Sequence, residues 1–153
     1  MELTDARPED VPELLVLQRC CWVQEALLND TLDIPALHES LEDVRDWTKT
    51  WSVWVLRDGH RLIGAVRARL EAGTWELGRL MVAPDFAGRG LGRRLLAHAE
   101  AQAPAEARRF ALFTGARSAR NIRMYQRAGY QLTDAPEAGG HIAGAVYLAK
   151  DRQ

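Results

Sequence analysis

The sequence has few of the features that mark secreted or membrane proteins. Among its 153 residues there are only two cysteines, adjacent at Cys20 and Cys21, and neighbouring cysteines bridge poorly, which excludes a disulfide-rich scaffold. We interpret them as buried positions on one side of a helix in a reduced, cytoplasmic protein, with a reactive pair as the alternative. The first residues show no signal-peptide pattern. No apolar run approaches the roughly 20 residues of a membrane span.

Net charge is also nearly absent. The formal charge is −1, which gives no overall attraction to nucleic acid or membrane, so we expect neither as a partner. The charges are nevertheless unevenly distributed: residues 22–47 contain seven carboxylates and one arginine, whereas residues 85–127 contain nine arginines and three carboxylates. The basic half suits a phosphate-bearing ligand, and the acidic half suits a cationic amine.

The spacing of apolar residues predicts a mixed fold. Helical spacing follows Pro8 and again Pro35, where we expect one helix that carries Leu37, Leu41 and Val44. A period of two runs from Trp51 to Val82, interrupted by two tight turns, and indicates an antiparallel meander. Two further helices, over 90–103 and 118–128, alternate with short strands. We predict one domain over residues 1–153 with an α/β (α+β) fold, a mixed, mostly antiparallel sheet of about six to seven strands flanked by about four helices.

A glycine-rich segment lies between an apolar strand and an amphipathic helix. It reads Gly88-Arg89-Gly90-Leu91-Gly92. Glycines allow positive φ and a close approach of the backbone to a ligand, and amides at the start of a helix form an anion site. The dinucleotide pattern Gly-x-Gly-x-x-Gly is absent, as is the Lys-Ser/Thr of a P-loop. The segment alone therefore predicts a phosphate or other anion.

A second motif downstream makes the pattern more specific. The helix from Ser118 carries Asn121 and Tyr125 and ends before Gly129-Tyr130. With the glycine-rich segment, it resembles the GNAT superfamily of N-acetyltransferases. That family's signature is Gln/Arg-x-x-Gly-x-Gly/Ala, and this chain departs from it with Ala87 in the first position. The resemblance covers nearly the whole chain in element order, and it implies a GNAT-like fold and acetyl-CoA as cofactor.

The resemblance also implies a set of site residues. Main-chain groups of Met81, Val82 and Ala83 would pair with the pantetheine arm, and the amides of Gly88, Arg89, Gly90, Leu91, Gly92 and Arg93 would hold the pyrophosphate. Asn121 or Ser118 would contact the cofactor. Tyr125 would act as the general acid for the departing thiolate, since a tyrosine near its usual pKa of about 10 can give it a proton. A core aromatic on the helix is the alternative for Tyr125.

The sequence also offers candidates for a general base and for the site that binds the amine acceptor. Glu76 has the spacing of the catalytic glutamate in the histone acetyltransferase branch, and we expect it to share a strand face with Val82; a salt-bridged surface residue is the alternative. Acceptor-side candidates are Trp22, Gln24, Glu25 and Asp30, and His141 is a loop candidate. The alternatives are solvated helix faces with Trp22 in the core, and for His141 a surface histidine. No residue pattern indicates a metal site.

The sequence is compatible with three functions. The leading one is an acetyl-CoA-dependent N-acetyltransferase that moves an acetyl group to a primary amine of a small molecule or peptide by direct transfer. The second is a non-catalytic, CoA-binding regulatory module with the same fold. The third is an anion-binding protein whose glycine-rich segment holds another nucleotide. Many GNAT relatives dimerise, so a homodimer is a further expectation.

Overall fold

The computed structural model of the chain describes residues 1–136 and 144–153, so His141 lies outside the described residues. The elements, in chain order, are strand β1 (Glu2–Asp5), helices α1 (Val11–Leu28), α2 (Pro35–His38) and α3 (Leu41–Thr50), strands β2 (Ser52–Asp58), β3 (Arg61–Glu71) and β4 (Thr74–Val82), helix α4 (Leu91–Ala101), strand β5 (Arg109–Gly115), helix α5 (Ala119–Arg127), and strands β6 (Gln131–Thr133) and β7 (Ala145–Asp151). None of these helices has both the length and the apolar character that a bilayer crossing requires.

All of these strands form one sheet. Its order is β1-β2-β3-β4-β5-β7-β6 among the described residues. Every neighbouring pair is antiparallel except β4 and β5, which run parallel. The predicted mixed, mostly antiparallel α/β fold is confirmed.

Helices cover the meander on both faces. On one face α4 approaches so closely that a Cβ at Gly64 would lie 3.0 Å from Leu95 Cδ1, and Trp75 Nε1 donates a hydrogen bond to the Ala99 carbonyl at 2.9 Å. On the other face the guanidinium of Arg67 lies 4.8 Å from the ring centroid of Trp47 in α3. A buried core therefore forms on each side of β3 and β4, and burial of apolar surface is the main source of stability.

The helix expected after Pro35 is two helices rather than one. Ser40 begins α3 as its N-cap: Asp43 N donates to Ser40 Oγ at 3.2 Å, and Ser40 N donates to Asp43 Oδ2 at 2.8 Å. This capping box favours a new helix start. The break leaves Glu39 in extended backbone between the two helices, where its carboxylate points toward α1 and β4.

Strand β4 contains a bulge that the apolar alternation does not reveal. Against β3 the register changes between Met81, which faces Ala65, and Gly78, which faces Arg67. One extra residue is accommodated, and Arg79 takes a φ of 46°, a conformation that non-glycine residues rarely adopt. Because the extra residue reverses the alternation, Glu76 and Val82 lie on opposite faces. The prediction that they share a face is wrong.

Candidate active site

A cavity opens where β4 and β5 separate. The two strands pair only from Thr74 with Arg109 to Glu76 with Ala111, and beyond that point they diverge. The cavity has a volume of about 680 Å³ and is lined by both diverging strands, by α1, by the start of α4 and by α5. This volume is typical of a site for a small molecule or cofactor.

The glycine-rich segment forms one end of this cavity. Gly88 and Gly90 have φ values of 82° and 75°. The first hydrogen bond of α4 runs from Arg94 N to Gly90 O, so the amides of residues 88–93 have no main-chain acceptor among the described residues. A Cβ at Gly90 would meet nothing within 4 Å. Free amides at the positive end of a helix, beside an open approach, fit a pyrophosphate.

Most residues of this segment line the cavity, namely Gly88, Gly90, Leu91, Gly92 and Arg93. Arg89 is not among the described residues that line it, and its guanidinium lies over the Phe86 ring, 4.6 Å from the centroid.

A further arginine reaches the segment from α5. Arg120 lines the cavity, and its Nη2 lies 3.6 Å from the position of a Cβ at Gly88. Sequence spacing did not single out Arg120, because only the packing of α5 beside α4 brings it to the segment. It supplies a cation next to Ala87, where the family signature has Gln or Arg.

The end of β4 presents alternate main-chain groups to the cavity. Ala83 N donates to Ile63 O at 2.7 Å within the sheet. Since alternate residues of a strand direct their main-chain groups to opposite edges, Val82 and Leu80 face the open edge. Both line the cavity, whereas Met81 and Ala83 do not line it in the described part of the chain. Leu80 was missed because the separation of β4 from β5 is not visible in the sequence.

Glu25 of α1 connects the predicted acceptor side to α5. Its carboxylate accepts hydrogen bonds from Ser118 Oγ and, at 3.1 Å, from Asn121 Nδ2. Asn29 Nδ2 donates to Ser118 Oγ at 3.1 Å. The Asn29 side chain also packs closely against the backbone of Gly115, where a Cβ would lie within 2.7 Å of it. The predicted cofactor residues Ser118 and Asn121 therefore also position α5 against α1.

Tyr125 lies on the same helix and lines the cavity. Its side chain is 6% exposed and packs edge-on against Tyr130, with ring centroids 6.1 Å apart. The hydroxyl makes no hydrogen bond with a described residue, so it is available to a ligand. Burial, and next the charge of Glu25, raise the pKa of Tyr125 above its usual value. The hydroxyl therefore stays protonated across neutral pH.

The wall formed by β3, the β4 bulge, α1 and the residue that follows α3 carries two arginines and two tryptophans. Arg67 lies over the Trp51 ring at 3.9 Å, and Arg79 lies 5.6 Å from the Trp22 ring centroid. All four residues line the cavity, as does Glu76. Glu76 accepts a hydrogen bond from Arg69 Nε at 3.3 Å.

The two cysteines differ in environment. Cys20 is exposed, so its predicted burial is wrong, whereas Cys21 is partly buried and lines the cavity. Cys21 Sγ donates to the Val82 carbonyl at 3.3 Å. Burial raises the pKa of Cys21 to about 12, which keeps it as a neutral thiol.

The other acceptor-side candidates also differ in whether they line the cavity. Gln24, like Trp22 and Glu25, lines the cavity. Asp30 follows the end of α1 with a φ of 53° and is not among the described residues that line it. Of the tryptophans in the meander, Trp54 and Trp75 are buried in the core.

Sequence comparison identifies one family. Residues 13–130 match the sequence profile of the Acetyltransferase (GNAT) family. No curated protein sequence matches the chain significantly.

Solved structures share the fold over almost the full length. A ribosomal-protein-alanine N-acetyltransferase from Brucella melitensis is 21% identical, with 99% of this chain and 100% of that chain covered and a TM-score of 0.74. The PaiA N-acetyltransferase from Thermoplasma acidophilum, in complex with coenzyme A, is 17% identical (99% and 98% covered, TM-score 0.71). The yncA protein from Salmonella typhimurium, solved with its cofactor acetyl-CoA, is 18% identical (99% and 93% covered, TM-score 0.73).

Proposed function

The chain belongs to the acetyltransferase (GNAT) family, and on that premise we propose that it transfers an acetyl group from acetyl-CoA directly to a primary amine. The cofactor of the family is acetyl-CoA, and its members act on amine-bearing acceptors. The observation that carries the proposal is that two sets of groups without hydrogen-bond partners among the described residues, the amides of the glycine-rich segment and the hydroxyl of Tyr125, open into one cavity. The proposed acceptor is a small molecule or a peptide.

The proposed cofactor site follows the cavity from the glycine-rich segment to Tyr125. The amides of residues 88–93 would hold the pyrophosphate, with Arg93 and Arg120 as the nearest cations that line the cavity. The main chain of Leu80 and Val82 would pair with the pantetheine arm along the open edge of β4. Ser118 and Asn121 would border the arm from α5.

Proton transfer is the chemistry that the side chains have to supply. When bound, acetyl-CoA supplies the thioester that is the source of the acetyl group. The Tyr125 hydroxyl, held protonated by burial, would give its proton to the departing thiolate as general acid. Glu76 is our candidate for the base that takes a proton from the acceptor amine, directly or through water, because its carboxylate borders the same cavity. An amine must lose a proton before it can attack.

Direct transfer is favoured over a route through a cysteine. Cys21 is the cysteine that borders the cavity, but a thiol with a pKa of about 12 holds almost no thiolate at neutral pH. The thiolate is the nucleophilic form. The amine itself is therefore the proposed nucleophile.

Turnover and binding together test the proposal. The full chain is mixed with acetyl-CoA and a panel of small amines and peptides, and the free thiol of the product is measured, with CoA affinity determined separately by calorimetry. Release of thiol that depends on the amine, with acetylated product seen by mass spectrometry, is the expected result. Tight CoA binding without turnover on any amine would favour the regulatory module. Failure to bind CoA would refute both.

Residues 1–153 are proposed as a single N-acetyltransferase domain, since the family profile covers 13–130 of them. A cytoplasmic location and a homodimer remain predictions. Size-exclusion chromatography with light scattering would measure the oligomeric state.

A further inference from the structure

We propose that the acceptor is a small amine that also carries an anionic group, a carboxylate or a phosphate, and that Arg67 binds this group in the cavity wall. This inference rests on the proposed acetyltransferase function and specifies its substrate class. The residues that carry it lie in β3, at the bulge of β4, in α3 and directly after α3.

Aromatic rings hold the Arg67 side chain in place, and no described residue gives it a polar partner. Its guanidinium lies over the rings of Trp51 and Trp47, at 3.9 Å and 4.8 Å from their centroids. It passes above Gly78, where a Cβ would lie 3.4 Å from Arg67 Nε. That nitrogen is buried and has no hydrogen-bond partner, and Arg67 forms no ion pair in the described part of the chain. A buried donor without a partner is destabilising unless a ligand or water satisfies it.

The neighbouring acids are already paired with other groups. Glu39 accepts hydrogen bonds from Arg79 Nη2 at 2.9 Å and from Gln18 Nε2 at 2.8 Å. Glu76 pairs with Arg69 at 3.3 Å. Arg67 thus has no ion pair with a described acid, although the charges of Glu39 and Glu76 act on it from a distance.

The charge of Arg67 nevertheless persists at neutral pH. Burial, and next the charge of Arg79, lower the pKa of Arg67 to about 9. Both causes disfavour the charged form in the free protein, and an anion bound at the guanidinium would offset them because an opposite charge favours the charged form. The cavity therefore favours a ligand that brings a negative charge to this wall.

The chemistry of the Arg67 guanidinium restricts the class of ligand it can bind. A planar guanidinium fixed by aromatic stacking matches carboxylate and phosphate oxygens, to which arginine donates two parallel hydrogen bonds. The same cavity of about 680 Å³ has to hold the cofactor arm as well, so the anion and the amine are expected within one small acceptor. An amino acid or an aminoalkyl phosphonate has both groups.

Matched acceptors test the proposal. Each set contains an amino acid, its primary amide, the amine that lacks the carboxylate, and the corresponding aminoalkyl phosphonate. For the full chain with acetyl-CoA, the anionic members should show a kcat/KM on the order of 10- to 100-fold higher, the size expected for charge-assisted hydrogen bonds. Comparing kcat/KM for the amino acid and for the aminoalkyl phosphonate shows which of the two anions the site prefers.

A binding measurement separates this proposal from the proposed function. The chain has five tryptophans, so the change in intrinsic fluorescence that the CoA-loaded protein loses in a Trp51→Phe variant reports ligand at Trp51, which contacts Arg67, whether or not turnover occurs. Quenching by anionic members and not by neutral ones supports the anion site even if no acceptor is acetylated. Equal responses to both, or none to either, would overturn it. Failure of CoA loading refutes the proposed function instead.

A matched pair of variants assigns the effect to Arg67. Arg67→Gln should raise the KM of anionic acceptors toward that of neutral ones, and Arg67→Lys should restore part of the preference. Arg109→Gln is the control, because Arg109 also lies over an aromatic ring, 5.8 Å from the Tyr147 centroid, but outside the cavity. An unchanged preference in a folded Arg67→Gln protein would contradict the assignment. Should that variant fail to fold, the fluorescence comparison decides alone.

Discussion

Replacing Tyr125 by Phe removes one hydroxyl from the cavity and leaves the ring in place. The hydroxyl makes no hydrogen bond with a described residue, and the ring contact with Tyr130, at 6.1 Å between centroids, is retained. The free energy of unfolding should therefore change by less than about 1 kcal/mol. If the hydroxyl is the general acid, kcat should fall by roughly 10²- to 10⁴-fold, which corresponds to about 2.7–5.4 kcal/mol in the activation free energy.

The control for this substitution is Tyr130→Phe. Tyr130 is 1% exposed, and its hydroxyl donates to Glu100 Oε2 at 2.9 Å, outside the cavity. Because a hydrogen bond to a charged group contributes about 1.5–3 kcal/mol, this variant should lose stability and keep its kcat. The two tyrosines should thus show opposite patterns in a thermal melt and in a thiol-release assay.

The pH dependence of the reaction gives a second test of Tyr125. Its pKa in the folded protein is raised above the usual value of about 10. The protonated form, and any stability linked to it, is therefore fully present below that value and is lost only as the pH rises through the raised pKa. Loss of kcat on the alkaline side below about pH 10 should not come from this residue. Equal losses of kcat and CoA affinity in Tyr125→Phe would refute the acid role and indicate a structural one.

Three shorter predictions concern the rest of the cavity. Gly90→Asp should abolish CoA binding measured by calorimetry, whereas Gly73→Asp, with a similar φ of 82° and equally open space, should not; loss in both would indicate strain alone. Iodoacetamide at neutral pH should modify exposed Cys20 and spare Cys21, and peptide mass spectrometry showing the reverse would contradict the raised pKa. Glu76→Gln should lower kcat by about 10²-fold or more with CoA affinity unchanged; an unchanged kcat would exclude Glu76 as the base.

Much of the fold could be predicted from local pattern. Alternation and tight turns located β2, β3 and β4, and the glycine-rich segment located the start of α4 within one residue. These features depend on neighbours in the chain, so the sequence shows them directly. The capping box at Ser40 and Asp43 was also visible, but the helical spacing of Leu37, Leu41 and Val44 continued through it and concealed the break between α2 and α3.

Residues of the site that depend on long-range packing could not be predicted. Arg120 reaches the glycine-rich segment only because α5 lies beside α4, and Leu80 faces the cavity only because β4 leaves β5. Neither fact has a local signature. For the same reason the sequence predicted one role for Met81, Val82 and Ala83, pairing with the pantetheine arm. The main-chain groups of Met81 and Ala83 are directed to the other edge of the strand.

The bulge at Arg79 links the fold to the chemistry of the acceptor side. By adding one residue to β4 it turns Arg79 toward Glu39 and keeps Gly78 beneath the Arg67 side chain. The acidic segment 22–47 had suggested an acceptor site that attracts a cation. Folding pairs Glu39 with Arg79, whereas among the described residues Glu25 accepts hydrogen bonds only from neutral groups, including those of Ser118 and Asn121, and it lines the cavity near Tyr125. At the wall formed by β3 and the bulge, the charge without an ion pair among the described residues is the cation of Arg67. Charge counted along the sequence and charge presented to a ligand at this wall therefore lead to different acceptors.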